Sequence, residues 1–403
     1  MYSQSFSGKE LYRLTTQAER GKFKLEKDVF IKTIDDEISL PLSERTYSFN
    51  IKNVGGLFLN GYSQATQKEK ITYLCQDLIL RKIYQNTKKI YNLKQADRNK
   101  IIQQLQILLV AKTDFWIIRL DIKSFYESLN REDILGKLYN QYRLSPLTVF
   151  LLRKLFETSS IKTSSGIPRG LSISSCLSEL AMKYFDIEMK QFAGVYYYAR
   201  FVDDIIIFCS TEKCQNDVWN LIPEKLKSLS LTLNANKSYK ISSSDMRANA
   251  KPLTYLGYCF CLRNRKLYAD IAPAKVNKIK TRIVRAFISV IKNGDIELLK
   301  DRIKYLTGNY LIKGKVTLLP VKAGIYYNYK RIDIESEALQ ELDKFYQNIL
   351  HSYHGKFGLG LSAKLSEDKR NCLKKYSFKI GFLHHTYHYF TPERIHQIKM
   401  CWQ

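Results

Sequence analysis

The sequence has no long apolar run and no sign of a segment that would target the chain to a membrane. None of its 403 residues lies in an apolar stretch of the roughly 18–20 residues that a helix needs to span a bilayer. The first residues, MYSQSFSGKELYRL, lack the apolar core of a secretory signal. These absences predict a soluble, cytoplasmic protein with no membrane partner.

Cysteine and histidine are present, but not in the arrangements typical of disulfide frameworks or structural zinc sites. The eight cysteines form no C-x-x-C pair and several lie in apolar runs, which favours reduced, buried thiols. All six histidines follow residue 350. His384 and His388, with Cys372 and Cys401 in the same region, suggest zinc, but their spacing matches no standard ligand pattern. Packing and surface roles are therefore favoured for these side chains.

Acidic residues are scarce relative to basic ones. The chain carries 65 Lys and Arg against 38 Asp and Glu, a formal net charge of +27, and it has no long basic tail. A field this positive favours a polyanionic partner, and nucleic acid is preferred over a merely basic surface. The imbalance is concentrated between residues 271 and 330, where 13 basic residues face 3 acidic ones.

Apolar spacing predicts helices at 95–110, 144–160, 172–189 and from about residue 272. In the third helix one apolar face is expected to contain Leu177, Leu180, Ala181, Tyr184 and Ile187. In the last helix, Lys278, Arg282 and Arg285 recur at three- and four-residue spacing, away from the apolar face. This spacing predicts contacts with nucleic-acid phosphates, and a solvated charged face is the alternative.

Three aspartates interrupt segments that otherwise predict buried strands. Asp121 ends the strand in FWIIRLDIKSFY, and Asp203 and Asp204 lie at the turn of the strand–turn–strand segment VYYYARFVDDIIIFCS. Adjacent carboxylates repel each other and are costly to desolvate. If these strands are neighbours in one antiparallel sheet, all three carboxylates converge at one edge. An acidic cluster in a basic protein predicts Mg²⁺, whose charge offsets the repulsion.

Five segments occur in an order that resembles the reverse transcriptases, which are polymerases with a right-hand architecture. In chain order they are RLDIKSFYESLNR, SGIPRGLSISSCLSEL, ARFVDDIIIF, LNANKS and YLGY, within residues 116–262. The resemblance implies an α+β fold, with an antiparallel palm sheet, helical fingers, a basic helical thumb and a C-terminal helical extension. The implied segments are 1–115 for the N-terminal region and fingers, 116–265 for the palm with a fingers part around 140–175, 266–345 for the thumb, and 346–403 for the extension.

The resemblance also implies a role for individual residues. Asp121 and Asp203 would be the main ligands of two Mg²⁺ ions, with Mn²⁺ as the alternative metal; Asp204 would assist and the Ile122 carbonyl would complete one site. Tyr126 would exclude a ribose 2′-hydroxyl and so select dNTPs, with core packing as its alternative role. Lys237 would neutralise or protonate the leaving pyrophosphate, with an ordinary exposed lysine as the alternative. The backbone N–H groups of residues 122–125 (Ile122, Lys123, Ser124, Phe125) would bind the triphosphate. The nucleotide would also contact Pro168, Arg169, Gly170 and Phe201, and Gly166 and Gly170 would lie near the template base pair. The nucleic acid would contact Gly257, Lys278, Arg282 and Arg285.

This chain departs from the family pattern in three places. Arg169 stands where many members carry Gln, and Phe201 stands where Tyr is commoner. The usual basic strand pair of the fingers has no match within residues 20–110, where Lys94, Arg98 and Lys100 are weak candidates. These departures leave the triphosphate contacts of the fingers unassigned.

A narrower resemblance points to the bacterial abortive-infection and defence-associated reverse transcriptases. It rests on DIKSFYESLNRED, GIPRGLSISSCLSEL and RIKYLTGNYLI followed by VKAGIYYNY, over residues 115–350. It implies antiphage defence, a dedicated non-coding RNA as partner, DNA as product, and assembly either as an oligomer or with a companion protein. A retron-type enzyme, a catalytically silent RNA-binding scaffold and an RNA polymerase on a similar palm are the alternatives.

Overall fold

The computed structural model describes residues 2–111, 113–248, 251–264, 266–312 and 321–402. The chain forms two compact units, one of Met1–Ile101 with Thr113–Ser242 and one of Ile102–Lys112 with Ser243–Gln403. Helices and mainly antiparallel sheets together confirm the predicted α+β class. The boundaries of the four predicted segments stay a prediction. Among the described residues, no helix combines the length and the apolar character needed to cross a membrane.

In the first unit, helices precede the strands of the main sheet in the sequence and also connect them. Its elements in chain order are α1 Gly8–Tyr12, α2 Gln17–Phe23, α3 Lys27–Ser43, β1 Ile51–Val54, β2 Leu57–Asn60, α4 Gln67–Ile90, α5 Arg98–Leu109 (which includes residues of both units), β3 Trp116–Asp121, α6 Phe125–Ser128, α7 Arg131–Asn140, α8 Pro146–Glu157, α9 Ser159–Lys162, α10 Ser172–Gln191, β4 Val195–Phe201, β5 Asp204–Cys209, α11 Glu212–Lys227 and β6 Tyr239–Ser242.

The main sheet has the strand order β4-β5-β3-β6, and every neighbouring pair in it is antiparallel. The central strands are almost wholly apolar, and Ile117, Ile118 and Ile205 are fully buried. α10 packs against β4, and α11 packs against β3 and β5. Both helices pack on the face that contains Ile118 and Ile207, and on the opposite face Ile117, Ile206 and Phe208 are fully buried as well. Strands buried on both faces lose their alternation of apolar and polar residues, which is why their sequence reads as continuous apolar runs. The predicted palm sheet is therefore present.

Helix starts in this unit follow local rules. α2 and α4 begin with capping boxes in which Thr16 pairs with Glu19 and Thr66 pairs with Glu69. The predicted helices at 144–160 and 172–189 are confirmed as α8 and α10.

Two expectations for this unit are corrected. Tyr184 and Ile187 are 64% and 40% exposed, and the C-terminal half of α10 instead buries Met182, Phe185 and Met189. The segment LIPEKLKSLSLTL predicts a helix followed by a strand, but after α11 the structure forms a single bridge between Leu233 and Ile122.

The described residues of the second unit form two three-stranded sheets, in the orders β7-β8-β9 and β11-β10-β12, together with helices. Its elements are α12 Ser243–Arg247, β7 Leu253–Tyr255, β8 Tyr258–Arg263, β9 Lys266–Ile271, α13 Pro273–Asn293, α14 Ile296–Thr307, β10 Asn309–Ile312, β11 Val321–Gly324, α15 Ile325–Tyr329, α16 Glu337–Leu350, α17 Gly355–Ser362, α18 Glu367–Lys374, α19 Phe378–Leu383, β12 Tyr387–His388 and α20 Pro392–Met400. β7, β8 and β9 are consecutive antiparallel neighbours, whereas β12 joins β10 in parallel.

The long basic helix α13 begins and ends as its sequence predicts. Pro273 occupies its first turn, and Gly294 closes it in the left-handed conformation with φ +72°. Val276, Ile283 and Phe287 are buried, as expected for its apolar face. The thumb-like stretch of the sequence is therefore an amphipathic helix of 21 residues.

Candidate active site

The three predicted carboxylates lie at one edge of the main sheet. β3 and β5 pair in a register that sets Asp121 directly opposite Asp204. Phe201 pairs with Asp204 across the β4–β5 turn, so Val202 and Asp203 form a two-residue loop. The Ile122 N–H donates to the Asp203 carbonyl at 3.2 Å, which ties this loop to the end of β3. The predicted convergence of these strands is confirmed.

The turn that carries Asp203 is held by a buried arginine. Val202 has φ +61°, a conformation that a β-branched residue rarely adopts. Arg200 donates to the Val202 carbonyl at 3.1 Å, and its guanidinium also binds Glu179 at 2.7 Å and Asp186 at 2.7 Å on α10. Arg200 therefore fastens the turn to the helix behind the sheet, which keeps the strained loop in place.

Two cations and one amide surround the carboxylates. The Arg119 guanidinium lies 2.8 Å from Asp204 Oδ1 and 3.8 Å from Asp121 Oδ1. The Lys237 ammonium lies 3.5 Å from Asp121 Oδ1. Asn234 donates its amide to Asp121 Oδ2 at 3.0 Å. The acidic edge is thus partly compensated by fixed positive charge from β3 and from the segment before β6.

The two adjacent aspartates are less acidic than ordinary carboxyl groups. Burial raises the pKa of Asp203, and the nearby Asp121 carboxylate raises it further. Burial raises the pKa of Asp204 to about 6, even though the Arg119 guanidinium acts in the opposite direction. Both carboxylates would gain from an additional cation, because a positive ion favours their charged form.

A cavity of about 490 Å³ lies in the second unit, whereas a smaller one of about 260 Å³ adjoins the carboxylates. The smaller cavity is lined by Phe125, Tyr126, Arg169, Gly170, Leu171, Ser174, Ser175 and Asp203. The Arg169 guanidinium lies 5.7 Å from the centre of the Tyr126 ring. Glu127 binds Arg169 through both carboxylate oxygens, at 2.6 Å and 2.9 Å. An aromatic ring, a fixed cation and a carboxylate therefore share one small cavity.

The loop before α10 requires glycine at two positions. Gly166 has φ +64°, and a Cβ there would lie 2.1 Å from the Tyr126 carbonyl oxygen. Gly170 has φ +98°, and its Cβ would lie 2.8 Å from the Phe58 carbonyl oxygen in the β1–β2 hairpin. Ile167 N–H donates to Tyr126 O at 2.7 Å, and Phe58 N–H donates to Arg169 O at 2.7 Å. These contacts seat the loop between the Tyr126 segment and the hairpin.

The predicted triphosphate contact of residues 122–125 stays a prediction. In this structure the N–H groups of Ile122 and Lys123 donate to the carbonyls of Asp203 and Thr232. Ser124 adopts the left-handed conformation with φ +46°. Pro168 lies in the same loop as Arg169, and its carbonyl accepts a hydrogen bond from the Ser174 hydroxyl.

The remaining predicted residues lie in the second unit. Gly257, with φ +83°, and Leu256 form the tight turn between β7 and β8, within the YLGY segment. On α13, Lys278 is exposed. The Arg282 guanidinium lies 5.4 Å from the centre of the Trp402 ring, and Arg285 donates to the Trp402 carbonyl at 3.2 Å. Two of the three predicted phosphate contacts therefore already have a neighbour within the unit.

No group of three or more His, Cys, Asp or Glu side chains in the described ranges is arranged to hold a metal ion. At the sheet edge, Asp204 is engaged by Arg119. Asp121 and Asp203 still offer hard oxygen ligands, and Mg²⁺ is held by one or two carboxylates when substrate phosphates complete its shell. The donor set therefore fits a divalent ion that binds together with a nucleotide.

Several contributors to this site gave no signal in the sequence. Arg119, Asn234 and Glu127 are ordinary polar residues beside the recognised motifs, and only the register and the turn bring them to the carboxylates and the cavity. The β1–β2 hairpin was also missed, because its strands have four residues each and leave Val54 and Leu57 exposed. Its Gly55-Gly56 turn, with φ +58° and +83°, was the available signal.

Residues 68–260 match the family model described as reverse transcriptase (RNA-dependent DNA polymerase). The matched region contains α4, the whole main sheet and the carboxylate edge. This part of the chain, just under half of its length, is therefore similar to the reverse transcriptase family. No curated protein matches the sequence.

Solved telomerase structures are distantly similar. The telomerase of Candida tropicalis with a TWJ fragment of telomeric RNA is 12% identical, with a TM-score of 0.39, and the match covers 91% of this chain and 65% of that one. The Candida albicans telomerase with such a fragment is 12% identical, with a TM-score of 0.38 over 84% and 59%. A truncated apo telomerase from Candida tropicalis is 15% identical, with a TM-score of 0.38 over 51% and 48%. The chain thus spans about half to two thirds of these proteins, and the likeness is too distant to assign a function.

Proposed function

We propose that this chain is an RNA-directed DNA polymerase that adds dNTPs to a primer on an RNA template. The observation that carries the proposal is the register of β3 and β5, which brings Asp121 opposite Asp204 with Asp203 in the adjoining turn. The cavity that contains Tyr126 is lined by Asp203 as well. A carboxylate edge next to a nucleotide-sized cavity, in a domain that matches the reverse transcriptases, supports nucleotidyl transfer.

Asp121 and Asp203, with the Ile122 carbonyl, would hold two Mg²⁺ ions, for which Mn²⁺ is the alternative. When bound, a metal pair of this kind stabilises both the attacking 3′-hydroxyl and the leaving pyrophosphate. Three features of the chain support this assignment: the hard oxygen ligands, the raised pKa of Asp203, and the location of both side chains at one sheet edge.

The chain's own residues would bind and orient the substrates. Tyr126 would exclude a 2′-hydroxyl from the cavity, and Arg169 would present its guanidinium to the nucleotide phosphates. The Lys237 ammonium, which is 60% exposed beside Asp121, would neutralise charge on the departing pyrophosphate. In the second unit, Gly257 and the exposed Lys278 would contact the nucleic acid. Arg282 and Arg285 would contact it through the parts of their side chains that Trp402 does not cover.

A primer-extension assay tests the activity. With an annealed RNA template, DNA primer, dNTPs and Mg²⁺, the purified chain is expected to synthesise DNA. Asp121→Asn and Asp203→Asn should each lower the rate about a thousandfold or more, since metal ligation contributes several kcal/mol to transition-state stabilisation. Asp217→Asn, at an exposed position on α11, is the matched control and should retain activity. Synthesis that persists unchanged in Asp203→Asn would remove the basis of the proposal.

For the biological role, we favour bacterial antiphage defence in the cytoplasm with a dedicated non-coding RNA, acting as an oligomer or with a companion protein. The segments DIKSFYESLNRED and GIPRGLSISSCLSEL support it by their resemblance to defence-associated members of the family. Sequencing the RNA that co-purifies with the chain should return one dominant species. Phage plating with wild type and Asp203→Asn should differ only if DNA synthesis protects the cell. A random RNA population, or equal plating, would argue against this role.

A further inference from the structure

Arg119 lies at the centre of the carboxylate edge, although none of the recognised functional positions includes it. It precedes Asp121 by two residues on β3, so both side chains project from the same face of the strand. Its side chain is only 11% exposed. In the sheet it pairs with Ile206 on β5 and Tyr239 on β6, which places it between the two strands that flank the site.

The guanidinium joins three separate segments of the chain. One terminal nitrogen binds Asp204 Oδ1 at 2.8 Å and lies 3.8 Å from Asp121 Oδ1. The other donates to the backbone carbonyl of Lys237, the residue whose ammonium lies 3.5 Å from Asp121. A planar fork of donors can hold two acceptors in fixed directions, which a single ammonium cannot do.

Stability alone does not explain this arrangement. Among the described residues, the Arg119 Nε is a buried atom with no hydrogen-bond partner, and leaving such a donor unsatisfied is unfavourable. Buried ion pairs are often no more stabilising than apolar residues of similar size. The contact with Asp204 is short and direct, whereas the contact with Asp121 is longer. Arg119 therefore distinguishes between the carboxylates.

We propose that Arg119 is a positioning residue that withholds Asp204 from the divalent ion, leaves Asp121 and Asp203 as its carboxylate ligands, and fixes the backbone from which Lys237 reaches the site. This inference rests on the proposed polymerase function, because that function supplies the divalent ion. The contacts of Arg119 are with carboxylates and a backbone carbonyl of the chain, so its role is to position them.

Metal binding without catalysis tests the proposal. Mn²⁺ binding to the full chain is measured by electron paramagnetic resonance, with no nucleic acid or dNTP present. Arg119→Gln should bind Mn²⁺ about tenfold more tightly, because it removes a fixed positive charge and releases Asp204. Arg119→Lys keeps the charge and should bind Mn²⁺ like wild type. Both variants should extend a primer about tenfold more slowly, because the Lys237 backbone is no longer held.

A double-mutant cycle separates positioning from a general charge effect. If Arg119 acts through Asp204, the gain in Mn²⁺ affinity seen with Arg119→Gln disappears in the Asp204→Asn background. Arg153→Gln, at an exposed position on α8, removes an equal charge and should change neither affinity nor rate. An unchanged Mn²⁺ affinity in Arg119→Gln, or an equal gain in the Asp204→Asn background, would overturn the inference.

Two further comparisons keep the result interpretable. Circular dichroism and a urea midpoint show whether Arg119→Gln folds. If it does not fold, Arg119→Lys decides the question. A wild-type Mn²⁺ affinity with slowed primer extension in Arg119→Lys supports the proposal, and primer extension at the wild-type rate in Arg119→Lys overturns it. If the wild-type chain binds Mn²⁺ but makes no DNA, the polymerase proposal fails while the metal cycle still decides the role of Arg119. If the wild type makes DNA and the variants match it, only the role of Arg119 is rejected.

Discussion

The Tyr126 ring is half-buried beside Asp203 and packs edge-on against Phe125, with ring centres 5.4 Å apart. Burial raises the pKa of its hydroxyl. Phe125 and the Arg169 guanidinium both lie beside the ring and limit its movement. A ring held in this way can act as a steric limit on the sugar of an incoming nucleotide.

Tyr126→Ala should therefore relax the choice of sugar. We expect the preference for dNTP over rNTP, measured as the ratio of kcat/KM values in single-nucleotide extension, to fall about tenfold or more, which is typical when a steric contact in a pocket is lost. Tyr126→Phe keeps the ring and should keep the preference. Tyr139→Ala, at an exposed tyrosine on α7, is the control for general effects. Equal use of rNTPs and dNTPs by the wild type would contradict the role.

At the scale of elements, the β4–β5 hairpin depends on helix α10. Arg200 is 6% exposed and forms ion pairs with Glu179 and Asp186, while the Tyr198 hydroxyl donates to Asp186 at 2.6 Å. Burial raises the pKa of Glu179 against the opposing effect of Arg200. The hairpin is thus held to α10 by a charged cluster in which the carboxylates of Glu179 and Asp186 depend on the Arg200 cation.

Arg200→Met should destabilise the fold by about 3 kcal/mol, because it leaves two carboxylates that are only 17% and 16% exposed without their cation. Urea unfolding measures this loss as a lower midpoint. Arg153→Met, at an exposed arginine, should change the free energy of unfolding by no more than about 0.5 kcal/mol. Adding Glu179→Gln and Asp186→Asn to Arg200→Met should recover part of the loss, since no unpaired charge remains. A loss of less than about 1 kcal/mol in Arg200→Met would mean that this cluster does not hold the hairpin.

The sequence predicted the positions of helices and strands better than it predicted which of their faces are buried. Asp121 and the Asp203–Asp204 pair were predictable because apolar strands flank them and antiparallel neighbours must meet at one edge. The buried face of α10 was only half predictable. Spacing identifies an apolar stripe, but packing against β4 decides that Phe185 and not Tyr184 is buried. Long-range partners such as Arg119 and Asp204 could not be found at all, because spacing carries no information on register.

At the scale of the whole molecule, the charge imbalance is the property most directly tied to a partner. The net charge of +27 is the excess that remains after every acidic residue is counted against a basic one, so ion pairs within the chain cannot offset it. Basic side chains that bind phosphates release counterions from nucleic acid, so affinity should fall steeply as salt increases. On α13 the exposed Lys278 is better placed for such a contact than Arg282, whose guanidinium lies over Trp402.

Lys278→Gln should weaken binding to an RNA–DNA hybrid and reduce the salt dependence, because one phosphate contact is lost. We expect the slope of log K against log salt, measured by fluorescence anisotropy, to become shallower by about 1. Lys9→Gln lowers the net charge equally at an exposed position on α1 and should leave the slope unchanged. If both variants shift the slope alike, the hybrid responds to overall charge and not to a contact on α13. If neither shifts it, α13 does not form part of the nucleic-acid surface, and the basic stretch from 271 to 330 serves only as a solvated face.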